Sequence, residues 1–529
     1  MSGRHGLTKG LTNYGDPEFA AYLRRSFAKS MGYSKEMLDR PIIGIATSAS
    51  GFNNCHRSVP ELVDAVKRGV LGAGGLPIEF PTISLGEVFL KPTSFVFRNL
   101  MAMDVEEMIR AQPMSAVVLV GGCDKTGPAQ LMGAISAGVP AIQLVVGPMM
   151  TGRYRGERLG ACTDCRRFWA RYRAGDMTQP EIAAVEDNLA VTAGTCSVMG
   201  TASTMACLSE VLGLCLPGSA AVPAVHADRL RVAEATGVEA MQLAESGTAP
   251  GALITRQSLD NALSESTPVL VNLKPTGEHY MEDFHAAGGV GAVLDELKPL
   301  LHLECRDVTG QTLEERLQHR PAFVDPAVIR STNEPFHGTG SLVALFGNLA
   351  PNGSILKCAA ADARLFEHVG RAVVFKNLDD LSARIDDPSL DVEPDDVLVL
   401  QHAGPIGAGM PEAGYLPIPA KLARAGVKDM VRISDARMSG TAFGTVILHA
   451  SPECATGGPL GLVRSGDRIR VSVNARTIDV LLSEQELDSR RQTEAPPKPQ
   501  PVRGYARLYA QHVLGPELGC DFDFLRQPQ

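Results

Sequence analysis

From residue 41 onward the sequence alternates short β-branched runs with stretches rich in Ala, Leu and Met, and few architectures accept such a pattern. The alternation is typical of α/β proteins whose strands form a parallel sheet. The predicted strands cover residues 42–47, 77–80, 116–120 and 141–146, and the predicted helices cover residues 60–72, 94–112 and 128–137. In parallel sheets, ligands bind beyond the carboxyl ends of the strands, where loops lead into helices. Functional residues are therefore expected in those loops.

The pattern changes after about residue 333. A stretch rich in Gly and Asn covers residues 336–354, and beyond it long helices are fewer and the predicted strands are short, at residues 372–375, 397–401, 430–433 and 468–473. We therefore expect an α/β protein with an N-terminal parallel α/β domain, residues 1–338, and a C-terminal β-rich domain of a β-barrel-like α/β type, residues 339–529. Residues 484–503 are charged and rich in proline, which predicts an exposed connection, and residues 504–514 predict a terminal helix.

Charge and cysteine content limit the classes of function. The 529 residues carry a net charge of −9 at pH 7, so the chain lacks the basic surface that binding to nucleic acid or anionic lipid requires. Residues 1–21 are polar and charged, and no apolar run is long enough for a membrane helix. The 11 cysteines, an odd number spread along the chain, favour reduced thiols or metal ligands over a disulfide framework. We expect a cytoplasmic protein without nucleic-acid or membrane partners.

Cys123 stands in the most informative loop. There a buried strand ends in two glycines, and Cys123, Asp124 and Lys125 follow directly before a helix. A thiol, a carboxylate and an amine are thus presented side by side on a strand-to-helix loop. By itself this loop is equally consistent with Cys123 as a small core residue and Asp124 as a helix N-cap.

Two further cysteines occupy similar loops. Cys55 lies in an Asn-Asn-Cys-His segment just after the first predicted strand, and Cys196 lies in a Gly-Thr-Cys-Ser segment that leads into another helix. Three cysteines on separate strand-end loops, each beside small or polar residues, favour convergence on one soft-metal site. His56 either faces that site or hydrogen-bonds within its own loop.

Cys162 and Cys165 have the spacing of a zinc or redox motif. A structural zinc site usually needs a second pair of ligands at similar spacing, and the sequence offers none. We therefore expect a structural or peripheral role for this pair. Cys207 and Cys215 fall in a helical run and are interpreted as core residues. The cysteines without neighbours typical of metal ligands are Cys305, Cys358, Cys454 and Cys520.

Several segments together resemble one enzyme family. They surround Cys55, Cys123 and Cys196, and they include Ser-Asp-Ala-Arg-Met-Ser-Gly-Thr-Ala at residues 434–442 and Ser-Pro-Glu-Cys-Ala-Thr-Gly-Gly-Pro at residues 451–459. In this order they resemble the dihydroxy-acid and sugar-acid dehydratases, a family that also includes phosphogluconate dehydratase. The similarity runs from about residue 40 onward and is greatest to the arabinonate and xylonate type of aldonate dehydratase.

The resemblance implies an iron-sulfur cofactor. Cys55, Cys123 and Cys196 match the three ligands of a 2Fe-2S cluster whose second iron keeps a position for the substrate. An iron with an open position can act as a Lewis acid on the departing hydroxyl group, which accounts for a cluster in a reaction without net redox change.

The resemblance also implies a magnesium ion. Glu87, Asp124 and Glu412 match its carboxylate ligands. Lys125 matches a lysine that is carbamylated in this family, a modification that turns a cation into an anionic oxygen ligand suited to a hard metal ion. A dication clamped to the substrate would stabilise the negative charge that develops when the C2 proton leaves.

Ser439 and Thr441 match the catalytic residues of the family. Ser439 corresponds to the base that removes the C2 proton, and Thr441 supplies a nearby hydroxyl group. A serine is normally too weak a base for this step, so Ser439 would act as an alkoxide stabilised by the nearby metal charge. The implied reaction removes water from a 2,3-dihydroxy acid and leaves a 2-keto acid.

We expect the substrate to be a small sugar acid, an aldonate, and the product to be a 2-keto-3-deoxy acid. Residues 14–16, 162–167 and 434–438 resemble the sugar-acid branch more closely, and the dihydroxy-acid dehydratase of branched-chain amino-acid biosynthesis is the alternative. An iron-sulfur electron carrier or redox sensor is an alternative of a different class, but it gives no reason for the carboxylates, the lysine or Ser439. The family also implies a homodimer or homotetramer.

Overall fold

The computed structural model describes residues 6–9, 16–263, 267–319, 321–338, 340–412, 416–441, 443–493 and 503–526. Residues 14 and 15, part of one segment compared above with the sugar-acid branch, lie outside this description. The first half contains a parallel sheet with helices, and the second half contains a closed barrel. Among the described residues, no helix combines the length and the apolar character that crossing a membrane requires.

The first half is built on a four-stranded parallel sheet, as predicted. Its strands are β1 Ile42–Thr47, β2 Leu76–Pro81, β3 Ala116–Gly121 and β4 Ala141–Val145. The order across the sheet is β2-β1-β3-β4, and every neighbouring pair is parallel. All residues of β3 and β4 are buried, so both faces of the sheet are covered, which explains the continuous apolar runs in the sequence. A short antiparallel hairpin follows, formed by β5 Gly152–Tyr154 and β6 Glu157–Leu159.

The first half also contains helices. They are α1 Pro17–Ser30, α2 Lys35–Leu38, α3 Val59–Gly72, α4 Arg98–Ala111, α5 Thr126–Ala137, α6 Thr163–Ala174, α7 Gln179–Glu186, α8 Thr201–Val211, α9 Ala227–Ser246, α10 Pro250–Leu253, α11 Arg256–Ala262, α12 Met281–Ala286, α13 Gly289–Leu297 and α14 Leu313–Arg316. Where α3 crosses α9, a Cβ atom on Gly69 would lie 2.0 Å from the carbonyl oxygen of Glu234. Glycine at this position therefore lets the two helix backbones approach closely.

The second half is an eight-stranded barrel with parallel and antiparallel pairs. Its strands are β7 Leu342–Gly347, β8 Ala350–Lys357, β9 Glu367–Phe375, β10 Val397–Leu400, β11 Arg432–Ser434, β12 Val446–Ser451, β13 Arg468–Ser472 and β14 Thr477–Val480. Around the barrel the order is β10-β11-β12-β8-β7-β14-β13-β9. Aliphatic side chains such as Leu345, Val399 and Ile433 form its core. The helices of this half are α15 Leu378–Arg384, α16 Pro405–Ala408, α17 Ala420–Arg424, α18 Glu484–Thr493 and α19 Tyr505–His512.

Residues 484–493 are mostly exposed, as expected, but they form a helix, α18, instead of an irregular connection. Leu487 and Arg490, three positions apart, are buried on one face of this helix. Arg490 pairs there with Asp467, at 2.5 Å, and with Glu486 on the preceding turn, at 2.9 Å. Composition alone cannot show that these charges neutralise one another. Residues 494–502 of the expected connection lie outside the described part of the chain.

The terminal helix, predicted at residues 504–514, returns to the first half of the chain. The Tyr505 hydroxyl donates a hydrogen bond to the carbonyl oxygen of Val96, at 2.6 Å, and the Asn99 side chain donates to the carbonyl oxygen of Cys520, at 3.0 Å. The two halves are therefore joined by packing as well as by the chain. The buried residues of this contact are Val96, Met410, Tyr509, Val513, Cys520 and Phe522.

Candidate active site

Loops at the carboxyl ends of the sheet strands bring cysteines together. Cys55 lies on a 3-10 turn after β1, where the Asn53 side chain accepts a hydrogen bond from the Cys55 backbone N–H at 3.2 Å. Cys123 follows β3 and has a φ of 69°, a left-handed conformation that a non-glycine residue rarely adopts. Hydrogen bonding to Cys123, together with burial, raises the pKa of the Cys55 thiol. The two predicted ligands are thus in direct contact.

Cys196 joins these thiols, and so does a cysteine that was not predicted to do so. The Sγ atoms of Cys162 and Cys196 lie 2.8 Å apart. This contact, then burial, then the charges of Cys162 and Cys55 raise the pKa of the Cys196 thiol. Cys162, for which a structural or peripheral role was expected, is therefore not peripheral, and we call Cys55, Cys123, Cys162 and Cys196 the thiol cluster. Cys165 is directed elsewhere, since its thiol donates to the carbonyl oxygen of Cys162 at 3.2 Å.

His56 links two of the cysteine loops. Its Nδ1 atom lies 2.8 Å from the carbonyl oxygen of Ser48, and its Nε2 atom accepts a hydrogen bond from the backbone N–H of Gly122 at 3.0 Å. Burial lowers the pKa of His56, although hydrogen bonds to backbone groups of Ser48 and Gly122 oppose the shift. Both ring nitrogens are engaged, so His56 supports the loops of Cys55 and Cys123 and is a poor candidate for a catalytic base.

The three carboxylates predicted as metal ligands meet next to the thiol cluster. One oxygen atom from each of Glu87, Asp124 and Glu412 lies within 4.8 Å of the other two. Asp124 adjoins Cys123 in the chain, so the oxygen and sulfur donors lie side by side. Glu87 and Asp124 belong to the first half and Glu412 to the second, so this group forms only where the halves meet. Three carboxylate oxygens at this spacing suit a hard divalent cation.

Basic side chains lie among these carboxylates. Arg437, which the sequence analysis did not assign, pairs with Glu412 at 2.6 Å, with Asp124 at 3.4 Å and with Glu87. Lys125 is buried, and its Nζ atom lies 2.9 Å from Oδ2 of Asp124. Burial raises the pKa of Asp124, but the charges of Lys125 and Arg437 outweigh it and hold that pKa below its ordinary value. Burial also raises the pKa of Glu412, and there the charge of Arg437 opposes the effect without cancelling it.

Backbone hydrogen bonds to two buried carboxylates position the loop before Glu412. Asp435, which follows β11, accepts a hydrogen bond from the backbone N–H of Ala403 at 2.9 Å. Glu453 accepts one from the backbone N–H of Ile406, also at 2.9 Å. Burial raises the pKa of Glu453 to about 7. Asp435 belongs to the motif at residues 434–442 and Glu453 to the motif at residues 451–459. One residue of each motif therefore holds the loop before Glu412 in place.

Ser439 is surrounded by hydrogen-bond donors. Its Oγ atom lies 2.9 Å from the Thr441 hydroxyl oxygen and accepts hydrogen bonds from the Thr441 backbone N–H and from Nη2 of Arg166, each at 3.3 Å. Arg166 also donates from Nη1 to the Thr441 hydroxyl at 2.6 Å and lies 3.6 Å from Oε2 of Glu412. Donors directed at one hydroxyl oxygen favour its deprotonated form. The predicted base and the carboxylates thus share one site.

Arg166 and Lys357 are site residues that the sequence analysis missed. Arg166 lies in the first turn of α6, where the helix dipole disfavours a cation, and this placement is a signal of a role beyond the helix. Lys357 ends β8, and its Nζ atom donates to the carbonyl oxygen of Gly440 at 2.9 Å. Burial, assisted by the charge of Arg166, lowers the pKa of Lys357 to about 8. The Ser439 loop is therefore held between two cations from different halves.

His449 supports the same loop from the barrel. Its backbone has a φ of 59°, and its Nε2 atom accepts a hydrogen bond from the backbone N–H of Met438 at 2.9 Å. Burial, together with the charges of Arg437 and Lys125, lowers the pKa of His449 to about 4. The ring is therefore neutral at pH 7 and free to accept this bond.

Sequence comparisons cover nearly the whole chain. Residues 40–266 and 262–316 match the profile described as dihydroxy-acid/6-phosphogluconate dehydratase N-terminal, and residues 327–520 match the corresponding C-terminal profile. The 6-deoxy-6-sulfo-D-gluconate dehydratase of Pseudomonas putida is 40% identical, over 96% of this chain and 94% of its own. The L-arabinonate dehydratase of Rhizobium leguminosarum bv. trifolii is 40% identical, over 97% and 95%. The dihydroxy-acid dehydratase of Syntrophobacter fumaroxidans is 34% identical, over 94% and 96%.

Proposed function

The chain belongs to the dihydroxy-acid/6-phosphogluconate dehydratase family of hydro-lyases, and from this premise we propose an iron-sulfur- and magnesium-dependent dehydratase of sugar acids. The enzyme removes water from a dihydroxy acid. The proposed substrate is an aldonate, and the proposed product is a 2-keto-3-deoxy acid. Support for a sugar acid comes from relatives at 40% identity that are named for sulfogluconate and arabinonate, compared with 34% for a dihydroxy-acid dehydratase.

The arrangement around Ser439 carries the proposal. Its Oγ atom accepts hydrogen bonds from Arg166 and from the Thr441 backbone, and it lies in one site with the three carboxylates and the thiol cluster. An electron carrier needs only the thiols. Ser439 is held by a cation and lies next to carboxylate oxygens, which suit a hard metal ion, and thiol sulfurs, which suit a soft one. This combination fits a reaction in which a proton and a hydroxyl group leave neighbouring carbons.

Glu87, Asp124 and Glu412 would hold a magnesium ion, because their oxygens form a compact set of hard donors. When bound, the ion supplies positive charge to the carboxylate and the C2 hydroxyl of the substrate. Lys125 would join them as a carbamate, formed when its neutral amine adds to carbon dioxide with loss of a proton. The Lys125 amine, 2.9 Å from Asp124, is close enough to the carboxylates for the added oxygens to serve as ligands.

Cys55, Cys123 and Cys196 would hold a 2Fe-2S cluster, since soft thiolates are the donors that such clusters require and these sulfurs converge from separate loops. When bound, the cluster supplies Lewis acidity to the C3 hydroxyl group of the substrate. Thiols whose pKa is raised, as for Cys55 and Cys196, keep their protons until a metal replaces them.

The side chains of the site then account for the proton transfers. Ser439 Oγ, as an alkoxide, takes the proton from C2, the C3–O bond breaks, and the hydroxyl group leaves as water with the proton that Ser439 returns. The resulting enol takes a proton at C3 and loses the proton of its C2 hydroxyl group, which gives the 2-keto acid. Arg166 holds Ser439 and Thr441 in place and favours the charged form of the Ser439 oxygen. Lys357 fixes the backbone of the same loop through Gly440.

A substrate panel tests the function. Protein purified without oxygen, with iron and sulfide restored, is given aldonic acids of different length and 2,3-dihydroxy-3-methylbutanoate, and 2-keto acid release is measured. We expect about two irons per chain and release from at least one aldonate, absent in Ser439→Ala. Release from the branched acid alone would assign the branched-chain alternative. An iron-loaded protein that acts on none of these acids, and whose visible spectrum ignores them, would assign the electron carrier.

A further inference from the structure

Two histidines and an aspartate that are not part of the candidate active site meet where α9 begins. His226 directly precedes α9, Asp228 lies in its first turn, and His285 belongs to α12. One possible ligand atom from each of the three lies within 4.8 Å of the other two. The centroids of the two imidazole rings are 5.7 Å apart, with the ring planes inclined by 69°. The group is therefore assembled by the packing of two separate helices.

The two imidazoles are suited to bind a metal ion. Nδ1 of His226 accepts a hydrogen bond from the backbone N–H of Asp228 at 3.1 Å and lies 3.5 Å from Oδ2 of the same residue. A metal ion at this nitrogen would bind at the cost of one helix-cap hydrogen bond. Burial, together with the charges of His226 and Arg229, lowers the pKa of His285. This shift favours the neutral ring, which is the form that binds metal ions.

Two arginines affect the charge balance of the group. Arg229 is buried, and it donates to the carbonyl oxygens of Val145 at 2.9 Å and Ser219 at 2.8 Å, so its charge stays near the histidines. The carboxylate of Asp228 supplies the negative charge that offsets it. Arg231 pairs with Asp228, but its side chain is 71% exposed and can turn into solvent. The carboxylate is therefore accessible to a bound cation.

From this geometry we propose that His226, Asp228 and His285 form a separate metal site for a divalent ion with the ligand preferences of zinc. Two imidazole nitrogens and one carboxylate oxygen are intermediate donors, unlike the sulfurs of the thiol cluster or the oxygens of the three carboxylates predicted as metal ligands. Three protein ligands leave a coordination position for water. The inference does not rest on the proposed function, because the two sites share no residue.

The proposed ion would join two segments that both contact the loop of the third predicted cluster ligand. The backbone N–H of Met281, in α12, donates to the carbonyl oxygen of Ser197 at 2.8 Å. The backbone N–H of Ala224, just before α9, donates to the carbonyl oxygen of Pro148 at 2.8 Å, and Pro148 pairs with Thr195. An ion that links α9 to α12 should therefore stabilise this part of the folded protein by binding to it and not to the unfolded chain.

Zinc uptake by the iron-loaded protein tests the proposal. The protein is dialysed against Zn²⁺ in excess Mg²⁺, which keeps the carboxylate site occupied, and zinc and iron are then measured by mass spectrometry. We expect about one zinc ion per chain, without loss of iron, and a higher thermal midpoint than in the zinc-free protein. In crystals of the zinc-loaded protein, anomalous scattering at the zinc edge should place the ion between the two imidazoles.

Ligand variants identify the residues that hold the ion. We expect His285→Ala and His226→Asn to lower zinc affinity by about tenfold or more and to lose the zinc-dependent rise of the thermal midpoint. Asparagine still caps a helix, so His226→Asn separates metal binding from folding. His302→Ala is the matched control, because this histidine of the first half is as exposed as His226, at 46% against 48%, and its Nδ1 lies 3.9 Å from one carboxylate only, that of Glu304.

Three results would overturn the proposal. The first is a wild-type protein that keeps its iron and takes up no zinc. The second is zinc that is gained only as iron is lost, which would place it at the thiol cluster. The third is equal zinc affinity in the wild type, His285→Ala and His226→Asn. None of these results bears on the dehydratase function, which iron content and release of 2-keto acid test separately.

Discussion

Nη1 of Arg166, on a helix of the first half, donates a 2.6 Å hydrogen bond to the hydroxyl group of Thr441, on a loop of the barrel. The same guanidinium reaches Ser439 at 3.3 Å. Arg166 therefore connects the helix that begins beside the thiol cluster with the loop that carries the predicted base. It is a positioning residue, and its removal should affect the base while leaving both metal sites in place.

For Arg166→Gln we expect turnover to fall by about 10²-fold, the scale of losing one preorganised donor to a developing charge. Without the cation, the Ser439 hydroxyl is harder to deprotonate, so the rate should rise to its plateau at higher pH than in the wild type. Rates measured across pH, together with iron and magnesium content, check both points. Arg171→Gln, an exposed change on the same helix, is the control. An unshifted pH profile would mean that Arg166 is structural only.

Ser439→Ala should fold, keep its iron and magnesium, and still bind substrate. Its turnover should fall by a factor of about 10² to 10⁴, typical of losing a positioned acid or base. Exchange of the C2 proton with deuterated solvent, followed by NMR, should stop as well, because the same oxygen would start both processes. Near-normal turnover in a variant shown to retain its cluster would remove Ser439 from the mechanism.

Glu412→Gln should weaken magnesium binding, because it removes one of three carboxylate donors and leaves the partner charge of Arg437 less balanced. We expect affinity for Mn²⁺, used as a paramagnetic substitute, to fall by about tenfold or more in EPR titrations. Glu453→Gln is the matched control, since that buried carboxylate binds backbone N–H groups. Equal losses in both variants would argue against a metal site at Glu412.

Glu453 gives a prediction for pH. Burial raises its pKa from 4.5 to about 7, so between these values the folded protein binds more protons than the unfolded chain. The stability that this group contributes is therefore complete below pH 4.5 and is lost as the pH rises to about 7. Glu453→Gln does not titrate. Its free energy of unfolding relative to that of the wild type, measured by thermal denaturation, should rise by on the order of 1–3 kcal/mol between about pH 5 and about pH 8. A constant difference would contradict the raised pKa.

The sequence predicts the parallel sheet and the loop positions of Cys55 and Cys123 well, because both are local features. Strand periodicity and the strand-end position of Cys55 and Cys123 can be read from neighbouring residues. Asp124 does not act as a helix N-cap, because its carboxylate pairs with Lys125 and Arg437. The contact with Arg437 joins residues 313 positions apart, and a single sequence carries no information about such contacts.

The same limit explains the missed residues. The sequence around Cys162 shows only the spacing of a Cys-x-x-Cys pair, which is a local feature. Its contact with Cys196 depends on the path of the chain through the β5–β6 hairpin and the following helix. Lys357 and His449 lie in strands whose sequences give no sign of a functional role. Only the closed barrel brings their side chains into contact with the Ser439 loop. For residues 484–493, where an exposed connection is expected, the composition shows the charges but not the helix or the ion pairs of Arg490.

The packing of the last helix onto the first half bears on how the protein is handled. Cys520 Sγ lies 3.7 Å from Met410 Sδ, and the Met410 carbonyl oxygen accepts a hydrogen bond from Nε of Arg437 at 3.1 Å. Two contacts thus separate the tail from the arginine that pairs with all three carboxylates. We expect a truncation that removes Cys520 to disturb Met410, and through it the position of Arg437. Kinetic comparisons between preparations are therefore meaningful only when their C-terminal ends are identical.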